Sequence, residues 1–210
     1  LAAGWIRLMP CAEIAGEIGK NLDFLASTTR NTPDRHRSIR ATFEYSWRLL
    51  SAQEQEVFSK LAVFRGGFRR EAASEVAGAT IPLLASFVDK SLLRVLPNGR
   101  YDQHPLIYQY AREKLQERSS MKGIEARHLS YYLNLVQAQE EAVQSGRQED
   151  ALRVFREEWQ NCQVIPESIL GSGNEDMLLR WVELVDSYYD VRGAYTEALA
   201  FLTRAEEVVK

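Results

Sequence analysis

Cysteine is nearly absent from this 210-residue chain: Cys11 and Cys162 are the only two, and neither belongs to a C-x-x-C pair. Two thiols so far apart suggest neither a disulfide framework nor a zinc site, so both are expected to be reduced and no metal site is expected. Long apolar runs are missing too. No stretch of eighteen apolar residues exists, and the first residues lack the basic start and small-residue cleavage site of a secretory leader. The expectation is a cytoplasmic protein without membrane contact.

Catalytic signatures are also missing. A phosphate loop needs glycines and a lysine around the phosphates, but Gly19-Lys20 has no glycine at the required distance upstream. Gly66-Gly67 is followed by Phe68, Arg69 and Arg70 rather than by lysine and a hydroxyl residue. No H-E-x-x-H, G-x-S-x-G or Cys/His nucleophile pairing is visible. The carboxylate pairs Glu140-Glu141, Glu157-Glu158 and Glu206-Glu207 are expected on solvated helix faces. The chain is therefore not expected to be an enzyme by itself.

What is present is an ordinary globular balance, 45% apolar and 26% charged, which should fold as one domain or two small ones. Charge is uneven. Residues 37–118 carry 13 Lys/Arg against 9 Asp/Glu, whereas residues 119–210 carry 9 against 16, which argues for a boundary near Ser119.

Local patterns divide the chain further. LAAGWIRLMP has helical period but no initiating cap, so Leu1 is expected to fall inside a helix of a longer protein. Pro10 stops that helix and AEIAGEI restarts one ending near Leu25. STTRNTPDRHR, residues 27–37, reads as linker, with His36 in it. SIRATFEYSWRLL then places Ile39, Phe43, Trp47 and Leu50 on one helical face. Ser51 and Glu54 form a capping box for a helix burying Val57, Phe58, Leu61 and Ala62.

FRGG, residues 64–67, breaks the chain before a short helix, REAASEVAGA, and a more apolar one, IPLLASFVDKSLL. RVLPNGRYDQ predicts a β-hairpin turning at Pro97, Asn98 and Gly99. PLIYQYAREKLQER predicts a helix with Pro105 in its first turn. Helices, a hairpin and a closing helix describe a winged-helix module over 37–118.

After Ser119 every segment is helical in pattern: GIEARHLSYYLNLVQAQEEAVQ, then EDALRVFREEWQNCQVI, a break at GSGN (171–174), and two helices around Arg192-Gly193-Ala194. Tyr189, Gly193, Tyr195, Ala198 and Ala205 stand where a tetratricopeptide (TPR) repeat puts its packing residues and turn glycine. Further repeats are expected to follow, since one cannot bury its face alone, and Lys210 is not expected to be the natural C-terminus.

A winged helix invites a nucleic-acid reading, with the third helix in the major groove. That helix offers Lys90, Ser86 and Asp89 but no Arg, Asn or Gln, a poor reading head. Arg94 and Arg100 on the wing are weak candidates for phosphate contact. His128, on a helix, is expected to be solvated or satisfied locally.

SIRATFEYSWRLLSAQEQEVFSKLAVFRGGF, LLASFVDKSLL and YDQHPLIYQYAREKL, taken in series, closely resemble the winged-helix arm of STAND signal-transduction ATPases, particularly bacterial NB-ARC and MalT-like regulators. The resemblance implies that 1–27 ends the family's small helical domain, 28–36 is a linker, 37–118 is the arm and 119–210 begins the TPR-like sensor region. The implied fold is mainly α, a winged-helix domain with a small β-hairpin followed by TPR-like helical hairpins. It also implies that His104 matches the histidine of the family's Met-His-Asp motif, which lies against the β-phosphate of ADP. Here Gln103 replaces the Met and Pro105 the Asp.

The implied function is a non-catalytic regulatory segment of a transcription-regulating ATPase. The chain itself would carry no cofactor; ADP or ATP with Mg would bind in the parent. Its partners would be the nucleotide-binding domain of the same parent chain and an unknown protein or small-molecule signal at the repeats. The alternative is a winged-helix DNA-binding regulator with a TPR-like interaction domain.

Overall fold

The computed structural model describes residues 10–20, 39–118, 121–190, 193 and 195–209. The helix expected over 1–9, the end of the one expected to reach Leu25, the linker 28–36 and His36 lie outside these residues. Among the described residues the chain is mainly α, with eleven α-helices and one two-stranded hairpin. It divides into two compact units, one of residues 1–63 and 69–122, the other of 64–68 and 123–210.

In the first unit, α1 spans Cys11–Lys20 directly after Pro10. Helix α2, Ile39–Arg48, is amphipathic but half-exposed, and Leu50 just beyond it is buried. Helix α3, Ala52–Lys60, begins as its sequence predicts: the Glu54 amide donates to Ser51 Oγ (3.2 Å) and the Ser51 amide to Glu54 Oε2 (2.8 Å). This pairing satisfies two orphan amides of the first turn and stabilises the helix by about 1 kcal/mol. A 3-10 turn, Leu61–Val63, follows, then α4, Arg70–Ala77, and α5, Ile81–Asp89.

Val57, Phe58, Leu61 and Ala62 are all buried, as expected, and Phe58 packs on Phe87 of α5 with ring centroids 5.4 Å apart. Each such ring contributes roughly 2–3 kcal/mol through burial.

The hairpin is minimal. Strand β1, Arg94–Val95, pairs antiparallel with β2, Tyr101–Asp102, in the register Arg94↔Asp102 and Val95↔Tyr101. Leu96 N–H donates to Arg100 O, closing a three-residue Pro-Asn-Gly loop in which Gly99 takes φ +75°. That left-handed position is why glycine is needed there.

Helix α6, Pro105–Gln116, then closes the unit. It holds α2 through Arg40 and Glu113 (2.6 and 3.2 Å) and through Phe43 and Trp47, whose rings lie 5.8 and 6.0 Å from Tyr110.

The second unit contains most of α7, Met121–Gln144, together with α8, Gln148–Cys162, α9, Ile165–Ser172, α10, Glu175–Asp190, and α11, Tyr195–Val209. Helix α9 differs from the sequence reading, which ended the preceding segment at Ile165. Pro166 sits in its first turn, where a missing amide hydrogen does no harm, and Gly173 at φ +61° ends it.

The α10–α11 hairpin turns at Gly193, φ +65°. Its core is Trp181 against Phe201, edge to face with centroids 6.4 Å apart. Arg180 anchors it to Asn134 (2.9 Å) and Gln137 (2.8 Å) of α7, and Arg204 pairs with Glu167 of α9. No helix among the described residues is long and apolar enough to cross a membrane.

Candidate functional site

The junction between hairpin and α6 places His104. It is exposed and serves as the N-cap of α6, where its Nδ1 accepts from the Leu106 amide at 3.3 Å. An accepting Nδ1 carries no proton, so in the neutral ring Nε2 holds the hydrogen and is the free donor. Pro105 has no amide hydrogen, so a helix beginning there leaves one fewer orphan amide. The amide of Gln103 is buried and its Nε2 has no hydrogen-bond partner. An exposed imidazole donor beside the positive end of a twelve-residue helix suits a phosphate oxygen.

The other wing residues behave differently. Arg94 donates from Nε (2.9 Å) and Nη2 (2.5 Å) to Asp102 across the strand pair, so its charge is matched within the hairpin. Arg100 is 2% exposed, which corrects the expectation of a surface phosphate contact: the turn folds this side chain inward. A hairpin of two-residue strands leaves little surface for both arginines to face outward.

Ser86 of α5 and Lys90 at its C-cap are also engaged. Ser86 Oγ donates to Glu54 Oε1 at 2.6 Å, and Lys90 Nζ pairs with the same oxygen. Lys90 foremost, then Ser86, holds the Glu54 carboxyl well below the usual range, at about 2. The side chain that caps α3 therefore neutralises the cation that a third helix would offer to DNA.

A second constellation lies in the helical unit and was not singled out from the sequence. Asn161 is fully buried; its Nδ2 donates to Gly67 O (2.9 Å) and Glu158 Oε2 (3.2 Å). Its Oδ1 accepts from the Arg65 amide (2.7 Å) and faces His128 Nε2 at 3.5 Å. Tyr132 OH donates to Glu158 Oε2 at 3.2 Å.

Around these polar groups pack Phe64, Phe68, His128 and Tyr132, with Phe64–Phe68 centroids 4.7 Å apart and His128–Tyr132 4.6 Å apart. Burial pushes the His128 pKa down to about 4 against the opposing pull of its Asn161 contact, so the ring is neutral near pH 7. Burial, with the neighbouring Glu158 charge, raises the Tyr132 hydroxyl far above its ordinary value.

Of the two expectations for His128, solvated or satisfied locally, the first does not hold: the ring is buried and faces Asn161. One expectation is corrected here, since Glu158 is 4% exposed rather than on a solvated face. The signal was present in the spacing. Ala151, Phe155, Glu158 and Cys162 recur at intervals of four, three and four, which puts Glu158 on the apolar stripe of α8.

Of the repeat positions, Ala205 is buried, Ala198 is half-buried and Gly193 makes the turn. Tyr195 is 60% exposed and so is not a buried packing residue; Phe201 fills that role against Trp181. The side chain of Tyr189 lies outside the described residues.

Known proteins resemble the chain in sequence and in structure. A Mycobacterium tuberculosis protein provisionally named an HTH-type transcriptional regulator is 33% identical over 144 residues, which is 64% of this chain and 16% of that protein. An uncharacterised Mycobacterium tuberculosis protein is 30% identical over 139 residues, covering 61% of this chain and 35% of its own length. The chain thus spans only a small part of the curated relatives it matches. A crystal structure of a STAND ATPase with a tetratricopeptide repeat sensor, from Pyrococcus horikoshii, aligns with a TM-score of 0.44 and 19% identity, covering 98% of this chain and 34% of that one. No family model matches the chain.

Proposed function

We propose that this chain is a non-catalytic regulatory segment of a larger STAND signalling ATPase of the NB-ARC or MalT-like kind. Residues 37–118 act as its winged-helix arm and the helices beyond Ser119 as the start of a TPR-like sensor. The observation that carries the reading is the placement of His104, exposed at the head of α6 with Nδ1 engaged by the Leu106 amide and Nε2 left as an outward donor. Such a donor can hold the β-phosphate of ADP supplied by the nucleotide-binding domain of the parent chain.

ADP can favour a closed arm only through contacts made there and absent from the open state. His104 is one such contact. Exchange for ATP with Mg, prompted by a protein or small molecule at the repeats, would then release the arm. Relatives provisionally named as HTH-type regulators support a role in transcriptional control. The reading is tested by the parent reading frame: a G-x-x-x-x-G-K-[ST] loop upstream and further repeats downstream are expected, and a frame without the loop overturns it.

Duplex binding by residues 37–118 is the weaker reading. It draws on the same relatives' names, but Glu54 occupies Lys90 and Ser86, Asp102 occupies Arg94, and Arg100 is buried.

A further inference from the structure

Five of the nine large apolar side chains exposed among the described residues lie on one helical hairpin: Leu179 and Val182 of α10, and Tyr195, Leu199 and Leu202 of α11. Their spacings of three and four residues put each set in a single row along its helix. Leu179 is 64% and Leu199 67% exposed, so the rows stand open to solvent rather than at the margin of the core. A cluster of this kind marks an interaction surface, whereas single exposed apolar residues do not.

The two rows share one side of the hairpin. Val182 follows Trp181 and Leu202 follows Phe201 by one residue, which turns each about 100° in the same sense from the ring that faces the other helix. Helices of a hairpin run in opposite directions, so this common offset brings both rows to the same side. Arg180 and Arg204 are turned the other way, where they bond to α7 and α9.

Charge on the open side has one sign. Glu175 and Glu183 stand one turn before and one turn after Leu179, and Glu206 one turn after Leu202. Among the described residues of the hairpin, the only cations are Arg180 and Arg204, both on the opposite side. Two apolar rows bordered by carboxylates fit an amphipathic helix laid along them, its apolar stripe inward and Lys or Arg at its margins. A second copy of the chain, or another helix of this unit's composition, fits poorly. Residues 119–210 carry 9 Lys/Arg against 16 Asp/Glu, so such a helix would set carboxylates against carboxylates.

We propose that the open side of the α10–α11 hairpin docks a basic amphipathic helix of a partner protein. The two apolar rows take its apolar stripe, and Glu175, Glu183 and Glu206 take its cations. The surface needs neither His104 nor a nucleotide, so its failure would leave the arm reading standing.

Fluorescence anisotropy on the full-length parent protein tests the surface. The probes are two labelled synthetic helices of about eighteen residues, five turns, that share one leucine stripe and differ only in flanking lysine or glutamate. The lysine helix should bind in the micromolar range, more weakly as salt rises, and the glutamate helix should not bind. Leu179→Ser and Leu199→Ser, at positions already in solvent, should each weaken the lysine helix by about tenfold. Glu183→Gln should weaken it and flatten its salt dependence, and Leu49→Ser, a similarly exposed site in the first unit, should leave it unchanged. The proposal is overturned if both helices bind alike, if Leu199→Ser has no more effect than Leu49→Ser, or if neither helix binds because the parent's own chain covers the face. It is also overturned if sedimentation shows a dimer that Leu199→Ser dissolves, since a second copy then holds the surface.

Discussion

His128 Nε2 lies 3.5 Å from Asn161 Oδ1, two buried polar residues 33 positions apart. Burial holds the histidine neutral in the folded chain, its pKa pushed down to about 4 from an ordinary 6.5. Between those values the unfolded chain binds a proton that the folded chain does not. The contribution of this ring to stability is therefore fully present above pH 6.5 and is lost as pH drops towards 4, by about 3 kcal/mol for a shift of this size. Urea unfolding of wild type and His128→Gln across pH 7 to 4 should show the wild type declining more steeply. Parallel curves would contradict the neutral buried ring.

Glycine positions with the same backbone should differ in tolerance. Gly66 and Gly78 both take left-handed φ, +71° and +73°, but a Cβ at Gly66 meets Gln160 while one at Gly78 meets nothing within 4 Å. Gly78→Ala should cost about 1 kcal/mol, the left-handed penalty alone. Gly66→Ala should cost roughly 2–3 kcal/mol, because a neighbour must also shift. Chemical denaturation of both variants checks the order.

Glu54 joins the α3 cap to α5, so Glu54→Ala should lower stability by about 1 kcal/mol at pH 7. Its carboxyl is held at about 2 in the folded chain against an ordinary 4.5, so its contribution is present above pH 4.5 and lost as pH falls through 2. The gap between wild type and variant should close across that window.

The same contact bears on nucleic acid. With Lys90 tied to Glu54 and Arg94 to Asp102, the chain should show no salt-dependent affinity for duplex DNA in fluorescence anisotropy at low salt. Binding whose logarithm falls linearly with log salt would restore the DNA reading.

Local chemistry was the most legible part of the sequence. Ser51 and Glu54 cap α3, Pro97-Asn98-Gly99 turns the hairpin, and Pro105 opens α6, because each depends on residues only a few positions apart. Less legible were features set by distant partners. Arg100 gives no local sign of burial, and Asn161 looks like an ordinary helix polar residue until its partners Arg65 and Gly67, more than ninety positions away, are known. Helix α9 was missed because the preceding segment was ended at Ile165 and Gly171–Asn174 read as a break, leaving a stretch of only five residues between them, whereas the helix runs through Gly171 to Ser172.

The central claim is that His104 retains ADP in the parent protein, and ADP dissociation from the full-length chain tests it most directly. His104→Ala removes both the α6 cap and the Nε2 donor; His104→Asn keeps a capping side chain but loses the reach of the ring. Loss of one hydrogen bond to a charged phosphate, worth roughly 1.5–3 kcal/mol, predicts at least tenfold faster ADP release from both variants. Release unchanged in His104→Asn would make His104 a helix cap and nothing more, and would contradict the account.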